Sequence, residues 1–145
     1  MGICMIRSYE ERDFTQVTRI WIDARLQECG FIPTDLWRNG INMLKMSIDI
    51  SDVYVCADRK NIHGFIELDG SQITGLFAVR DHRFRKTMTQ LLEHAGLQAD
   101  VLTLHAFCKD EECIHIYEAC GYVPKGASVN EFTNEPELIF MRPGN

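Results

Sequence analysis

The densest chemistry in the chain lies in one short basic segment, where Arg80, Arg83, Arg85 and Lys86 fall within seven residues. The apolar run "LFAV" precedes it, and Met88, Leu91, Leu92 and Ala95 follow at helical spacing, so strand, turn and helix are expected in that order. A helix N-terminus presents unpaired N–H groups and a partial positive charge, which together suit a phosphate. Such turns are usually rich in glycine, because a side chain would occupy the space the anion needs. This one contains none. Two readings of the cations stay open: they replace backbone contacts by charge-assisted bonds to an anion, or they form a solvated surface on a cradle that holds nothing.

Six cysteines, Cys4, Cys29, Cys56, Cys108, Cys113 and Cys120, lie mostly in apolar stretches and show no paired CxxC spacing. Reduced, buried thiols are the expected state. Cys108, Cys113 and His115 could be imagined as metal ligands, but a helix beginning near Asp110 does not bring them to one point. No metal is expected.

The background to the basic turn is acidic. With 145 residues, a net charge of -6 and a pI near 5.3, the chain fits one soluble domain spanning 1–145, and it lacks the basic footprint of a nucleic-acid binder. No apolar run reaches the length of a membrane helix, so a cytoplasmic protein without membrane attachment is expected. "MGIC" is close to a myristoylation start, but Ile6 stands where that motif has Ser or Thr.

The elements that must position these residues can be read in turn. "ICMIRSY" is a strand, and Asp13 is a candidate N-cap for a helix to about Glu28, with Phe14, Val17, Trp21 and Ala24 on one face. Gly30 and Pro33 end it, and Thr34 or Asp35 caps a second helix through "LWRNGINMLKMSI". Three strands follow, the last two joined at Asp69-Gly70, a strong hairpin signal. After the basic-turn helix come the strand "VLTLHAF", the helix "DEECIHIYEACGY" and a last hairpin from "YVPKGASV" and "ELIFMRP". The order β-α-α-β-β-β-α-β-α-β-β describes an α/β protein, a mixed sheet with helices on its faces. Ligands bind such sheets beyond the strand ends, where connections diverge.

This order, with two local patterns, resembles the GCN5-related N-acetyltransferase (GNAT) family along nearly the whole chain. In the first pattern, a strand leads through a basic turn into a helix; Arg83 takes its first place, while Lys86 and Met88 stand where the family has glycines. The second pattern is matched by Ile116, Tyr117, Gly121 and Tyr122.

The resemblance implies transfer of an acetyl group from acetyl-CoA, as co-substrate, to a primary amine of an unidentified acceptor. It assigns the cofactor to Phe77, Ala78, Val79, Arg83, Phe84, Arg85, Lys86, Thr87 and Met88, with the backbone at Phe77 and Ala78 holding the pantetheine arm and polarising the carbonyl. Tyr117 would be the general acid, since a phenol with a free pKa of about 10 arrives protonated at a departing thiolate. For the base, Glu67 and His105 are both candidates; strand alternation groups Glu67 with His63 and Phe65, and His105 with Thr103 and Phe107. Phe31 and Trp37 are candidate walls for the acceptor, and Glu131, Glu135 and Glu137 candidate attractors of a cationic amine. Core packing and loop charge are their alternative readings. A homodimer would suit the resemblance.

A rival reading is a non-catalytic GNAT-fold regulatory or binding protein that has lost coenzyme A, motivated by the missing glycines and by Phe107, where many family members have Asn. A third is a metal or redox use of Cys108, Cys113 and Cys120.

Overall fold

The structure, a computed structural model, describes residues 4–29, 34–107, 110–130, 134 and 136–143. Its elements are β1 (Met5–Ser8), a single 3-10 turn (Glu11–Asp13), α1 (Phe14–Cys29), α2 (Thr34–Ile50), β2 (Asp52–Ala57), β3 (Ile62–Asp69), β4 (Gln72–Ala78), α3 (Phe84–Gln98), β5 (Leu102–Phe107), α4 (Glu111–Ala119), β6 (Val123–Val129) and β7 (Pro136–Arg142). This is the expected order with one added 3-10 turn. Asp13 is not the cap of α1 that the sequence suggests: it closes the preceding turn, accepting from the Glu10 N–H at 2.8 Å, and pairs with Arg7 across the chain. A buried carboxylate with an arginine within reach goes to the stronger donor.

The seven strands form one sheet in the order β1-β2-β3-β4-β5-β7-β6. Central β3 is buried along nearly its whole length because it faces helices on both sides. Ile66 and Leu68 pack with Met88, Leu91, Leu92 and Ile116 of α3 and α4 on one face. Phe65 lies on the other, among Val17 and Ile20 of α1 and Leu44 and Ile48 of α2. The Asp69-Gly70 signal is a two-residue turn joining the paired Asp69 and Gln72, with Gly70 at φ 61°. A positive φ at the first central position is what a type II′ turn requires.

Two features open the sheet near its middle. The pairing of β3 with β4 shifts register past Glu67↔Gly75, so Thr74 is an extra residue on β4, a bulge that bends the strand. Parallel β4 and β5 then pair only at Gln72↔Thr103 and diverge beyond it. The final hairpin helps to hold β5 in place, since β7 rather than β6 lies against it.

Candidate active site

The divergence of β4 from β5 leaves a cleft of about 340 Å³ lined by both strands, by Arg25 of α1, and by Phe84, Met88, Cys113 and Tyr117 of α3 and α4. Backbone polarity follows from the ladder. The Val79 N–H donates to the His63 carbonyl at 2.8 Å, so His63/Val79, Phe65/Phe77 and Glu67/Gly75 form the hydrogen-bonded pairs. The groups of Leu76 and Ala78 alternate with these and point away from β3, into the opening toward β5. A buried strand edge with unspent N–H and C=O groups asks for an extended, amide-bearing partner. Of the residues assigned by resemblance, Ala78 is thus on the open edge, while the backbone of Phe77 is turned to β3. Leu76, which the resemblance does not name, lies on the same open edge, as alternation from Ala78 requires.

Tyr117 lies in the wall of this cleft, nearly buried, its ring against Phe140 and Tyr122 at centroid distances of 5.8 and 6.4 Å. Helix α4 is started by Asp110, whose carboxylate accepts from the Cys113 N–H, and ended at Gly121 with φ 91°. One turn before Tyr117, burial pushes the Cys113 thiol up to about 12, helped by the charge of Asp110. That sulfur is a neutral neighbour of Tyr117 at neutral pH. His115 is on the exposed side of the same helix, so Cys113 and His115 do not converge. Cys108 lies outside the described residues.

The two candidate bases separate. His105 lines the cleft and is half exposed, with Nδ1 3.0 Å from Glu137 Oε1. Ser128 and Asn130 also donate to Glu137. Burial pushes the Glu137 carboxyl up, but these partners outweigh it and leave it below the usual range. An ionised Glu137 holds the proton on Nδ1 and turns Nε2 out as the basic nitrogen. Glu67, in contrast, is buried on the α1/α2 side of the sheet. Its Oε2 accepts from Ser47 at 2.8 Å, its Oε1 has no partner among the described residues, and burial raises its carboxyl. Glycine at position 75 makes room for it: a Cβ there would lie 3.0 Å from Oε2.

At the basic turn the four cations divide into two pairs. Arg80 bonds Asp110 at 3.0 Å and stacks over the Phe84 ring at 4.0 Å. Arg83 turns toward His63 and Asp58, at 3.0 and 3.7 Å. Arg85 and Lys86 remain exposed, with no ion pair among the described residues. Asp81 occupies part of the helix end, its Oδ1 accepting from the Arg83 N–H and its carbonyl from the Phe84 N–H. The first-turn N–H groups of Arg85 and Lys86 are left over, beside their own cationic side chains. Phe84, Thr87 and Met88 are buried against the sheet, and Met88 takes the core position its apolar chain prefers. Val79 is exposed at the end of β4. Phe31, Glu131 and Glu135 lie outside the described residues, as does the side chain of Trp37 on α2.

No protein-family model matches the chain, and no curated protein is significantly similar to it in sequence. Among solved structures, the apo-form of YjaB from Escherichia coli superposes with a TM-score of 0.79 at 20% identity, over 99% of each chain. A GNAT-family acetyltransferase from Bacillus cereus ATCC 10987 gives 0.78 at 19% identity, again over 99% of each. A protein described as histone acetyltransferase HPA2 and related acetyltransferase, from Corynebacterium glutamicum ATCC 13032, gives 0.80 at 16%, over 100% of this chain and 98% of its own. The chain therefore has the fold of the GCN5-related N-acetyltransferases over nearly its whole length. No helix among the described residues is long and apolar enough to cross a membrane.

Proposed function

We propose that this protein is an N-acetyltransferase that moves an acetyl group directly from acetyl-CoA to a primary amine, with Tyr117 as general acid. The observation that carries this reading is the cleft between β4 and β5, with an open strand edge on one wall and a phenol on another. The residues present fit acetyl-CoA: Leu76 and Ala78 offer backbone groups to the amides of the pantetheine arm, and Arg85 and Lys86 offer N–H groups and charge to the pyrophosphate.

The chemistry needs a neutral amine, a polarised carbonyl and a proton for the leaving sulfur. A strand N–H at Leu76 or Ala78 faces the charge that develops on the thioester oxygen. As the C–N bond forms and the C–S bond breaks, Tyr117 gives its phenolic proton to the thiolate. The proton lost by the amine passes through water to Nε2 of His105. Position in the cleft favours His105 over Glu67, and Glu137 orients the imidazole.

Tyr117→Phe tests this reading. It is expected to lower turnover of acetyl-CoA with an amine about 10²- to 10⁴-fold while calorimetric binding of coenzyme A persists. Retained turnover removes Tyr117 from the mechanism, and absence of any coenzyme A binding by the unaltered protein removes the function. One observation favours a second reading, a non-catalytic module of this fold: Asp81 and the internal pairs of Arg80 and Arg83 consume part of the anion site. That reading requires coenzyme A thioesters not to bind.

A further inference from the structure

On the far side of the basic turn, three different donor side chains converge. The sulfur of Cys4, a carboxylate oxygen of Asp58 and a ring nitrogen of His63 lie within 4.8 Å of one another. They come from the lead into β1, the β2–β3 turn and β3, and each is at least partly buried. A guanidinium nitrogen lies against the group. Arg83 Nη1 lies 3.0 Å from His63 Nε2, 3.7 Å from Asp58 Oδ2 and 3.8 Å from Cys4 Sγ.

This arrangement cannot satisfy all its partners as hydrogen bonds. His63 Nε2 is 2.8 Å from Asp58 Oδ2 and 3.0 Å from Arg83 Nη1. If Nε2 carries a proton it bonds Asp58, and the Arg83 N–H then faces another N–H. If Nε2 bears a lone pair it accepts from Arg83, and that lone pair then faces a carboxylate oxygen. In every state one of the two short contacts is repulsive. A cation without hydrogens, seated closer to these three atoms than Nη1, accepts a lone pair from each.

The surroundings prepare the ligands for that role. Asp58 Oδ1 accepts the N–H groups of Lys60 and Asn61 at 2.8 and 2.7 Å, which fixes Oδ2 toward the cluster. His63 is held in the ladder through its carbonyl, bonded by the Val79 N–H. Arg83 is about one third exposed, at 35%, so its side chain can leave toward solvent without unpacking the core.

We propose that Cys4, Asp58 and His63 form a binding site for a divalent transition metal, zinc by its ligand set, with Arg83 as the cation that occupies the site when the metal is away. Thiolate, imidazole and carboxylate together suit borderline-soft ions, and three protein ligands leave one position for water. Bond lengths of about 2.0 to 2.3 Å put ligand atoms about 3.5 Å apart in a tetrahedron, so the His63–Asp58 pair, now at 2.8 Å, opens while the wider separations, up to 4.8 Å, close. The three ligands do not line the β4–β5 cleft, and none of them is assigned to acyl transfer.

The test is anaerobic titration of the reduced full chain with Co²⁺, read by absorbance. One equivalent is expected to produce a thiolate-to-cobalt charge-transfer band and the visible bands of a tetrahedral ion, both abolished by added Zn²⁺. Cys4→Ser should remove the charge-transfer band, and Arg83→Gln should tighten Co²⁺ binding about tenfold by removing the competing cation. Because His63 is buried and its replacement can disturb folding, the partly exposed Cys4 and Arg83 carry the test, with circular dichroism confirming that both variants fold. A charge-transfer band that survives Cys4→Ser, no band with Co²⁺ in large excess, or unchanged affinity in Arg83→Gln overturns the proposal.

Discussion

The guanidinium of Arg80 lies 4.0 Å over the ring of Phe84 and reaches Asp110 at 3.0 Å, tying the start of α3 to the start of α4 across the mouth of the cleft. The same Asp110 caps α4 through the Cys113 N–H, so one carboxylate serves both contacts. Arg80→Met keeps apolar contact with Phe84 and loses the ion pair; it is expected to cost about 0.5 to 1 kcal/mol, because the pair is part exposed. Urea denaturation at low and high salt checks this. The difference from the unaltered protein should shrink as salt screens the pair.

The division of the basic turn makes a second prediction. Lys86→Ala and Arg85→Ala should each weaken coenzyme A binding about tenfold at low salt and flatten its salt dependence. Asp81→Asn should strengthen binding, since Asp81 places a negative charge on the helix end and its Oδ1 already takes the Arg83 N–H. Calorimetric titration decides between this charge-held site and a vacant one.

Burial of Glu67 raises its carboxyl, with the Ser47 hydroxyl acting in the opposite direction. A carboxyl raised on folding contributes stability that is present below its unfolded value, about 4.3, and is lost as pH rises through the folded value. At pH 7 burial of this carboxyl is therefore a net cost. Glu67→Gln should increase stability by about 1 kcal/mol at pH 7, and the gain should vanish near pH 4. Thermal melts across that range measure it. Acetyl transfer should survive the change if His105 is the base.

Arg7 holds both carboxylate oxygens of Asp13, at 2.7 and 2.9 Å, and so lowers the Asp13 carboxyl against the opposing effect of burial. For a lowered carboxyl the sign reverses. Its contribution is present above the unfolded value of about 3.9 and is lost as pH falls through the folded one. Asp13→Asn should cost about 2 kcal/mol at pH 7 and progressively less below pH 4, as denaturant midpoints would record.

Local chemistry made much of this protein legible in its sequence. The alternation of apolar residues, the Asp69-Gly70 turn and Gly121 after α4 act within a few residues, so the element order could be read directly. The pairing of Ile116, Tyr117, Gly121 and Tyr122 marked α4 and its tyrosine. The physics that decides these features is backbone conformation and one-sided burial, both written in neighbouring residues.

What required the tertiary structure is every relation between distant residues. The extra residue at Thr74 parts β4 from β5 and turns Leu76 and Ala78 toward the gap. Insertion of β7 beside β5 brings Glu137 to His105, across 32 positions. Strand pairing carries Cys4 and Asp58 to His63, which draws Arg83 away from the N-terminus of α3. Sequence determined that four cations stand at the head of a helix; only the fold decided that two of them spend their charge inside the protein, because an arginine goes to whichever partner the sheet puts within reach.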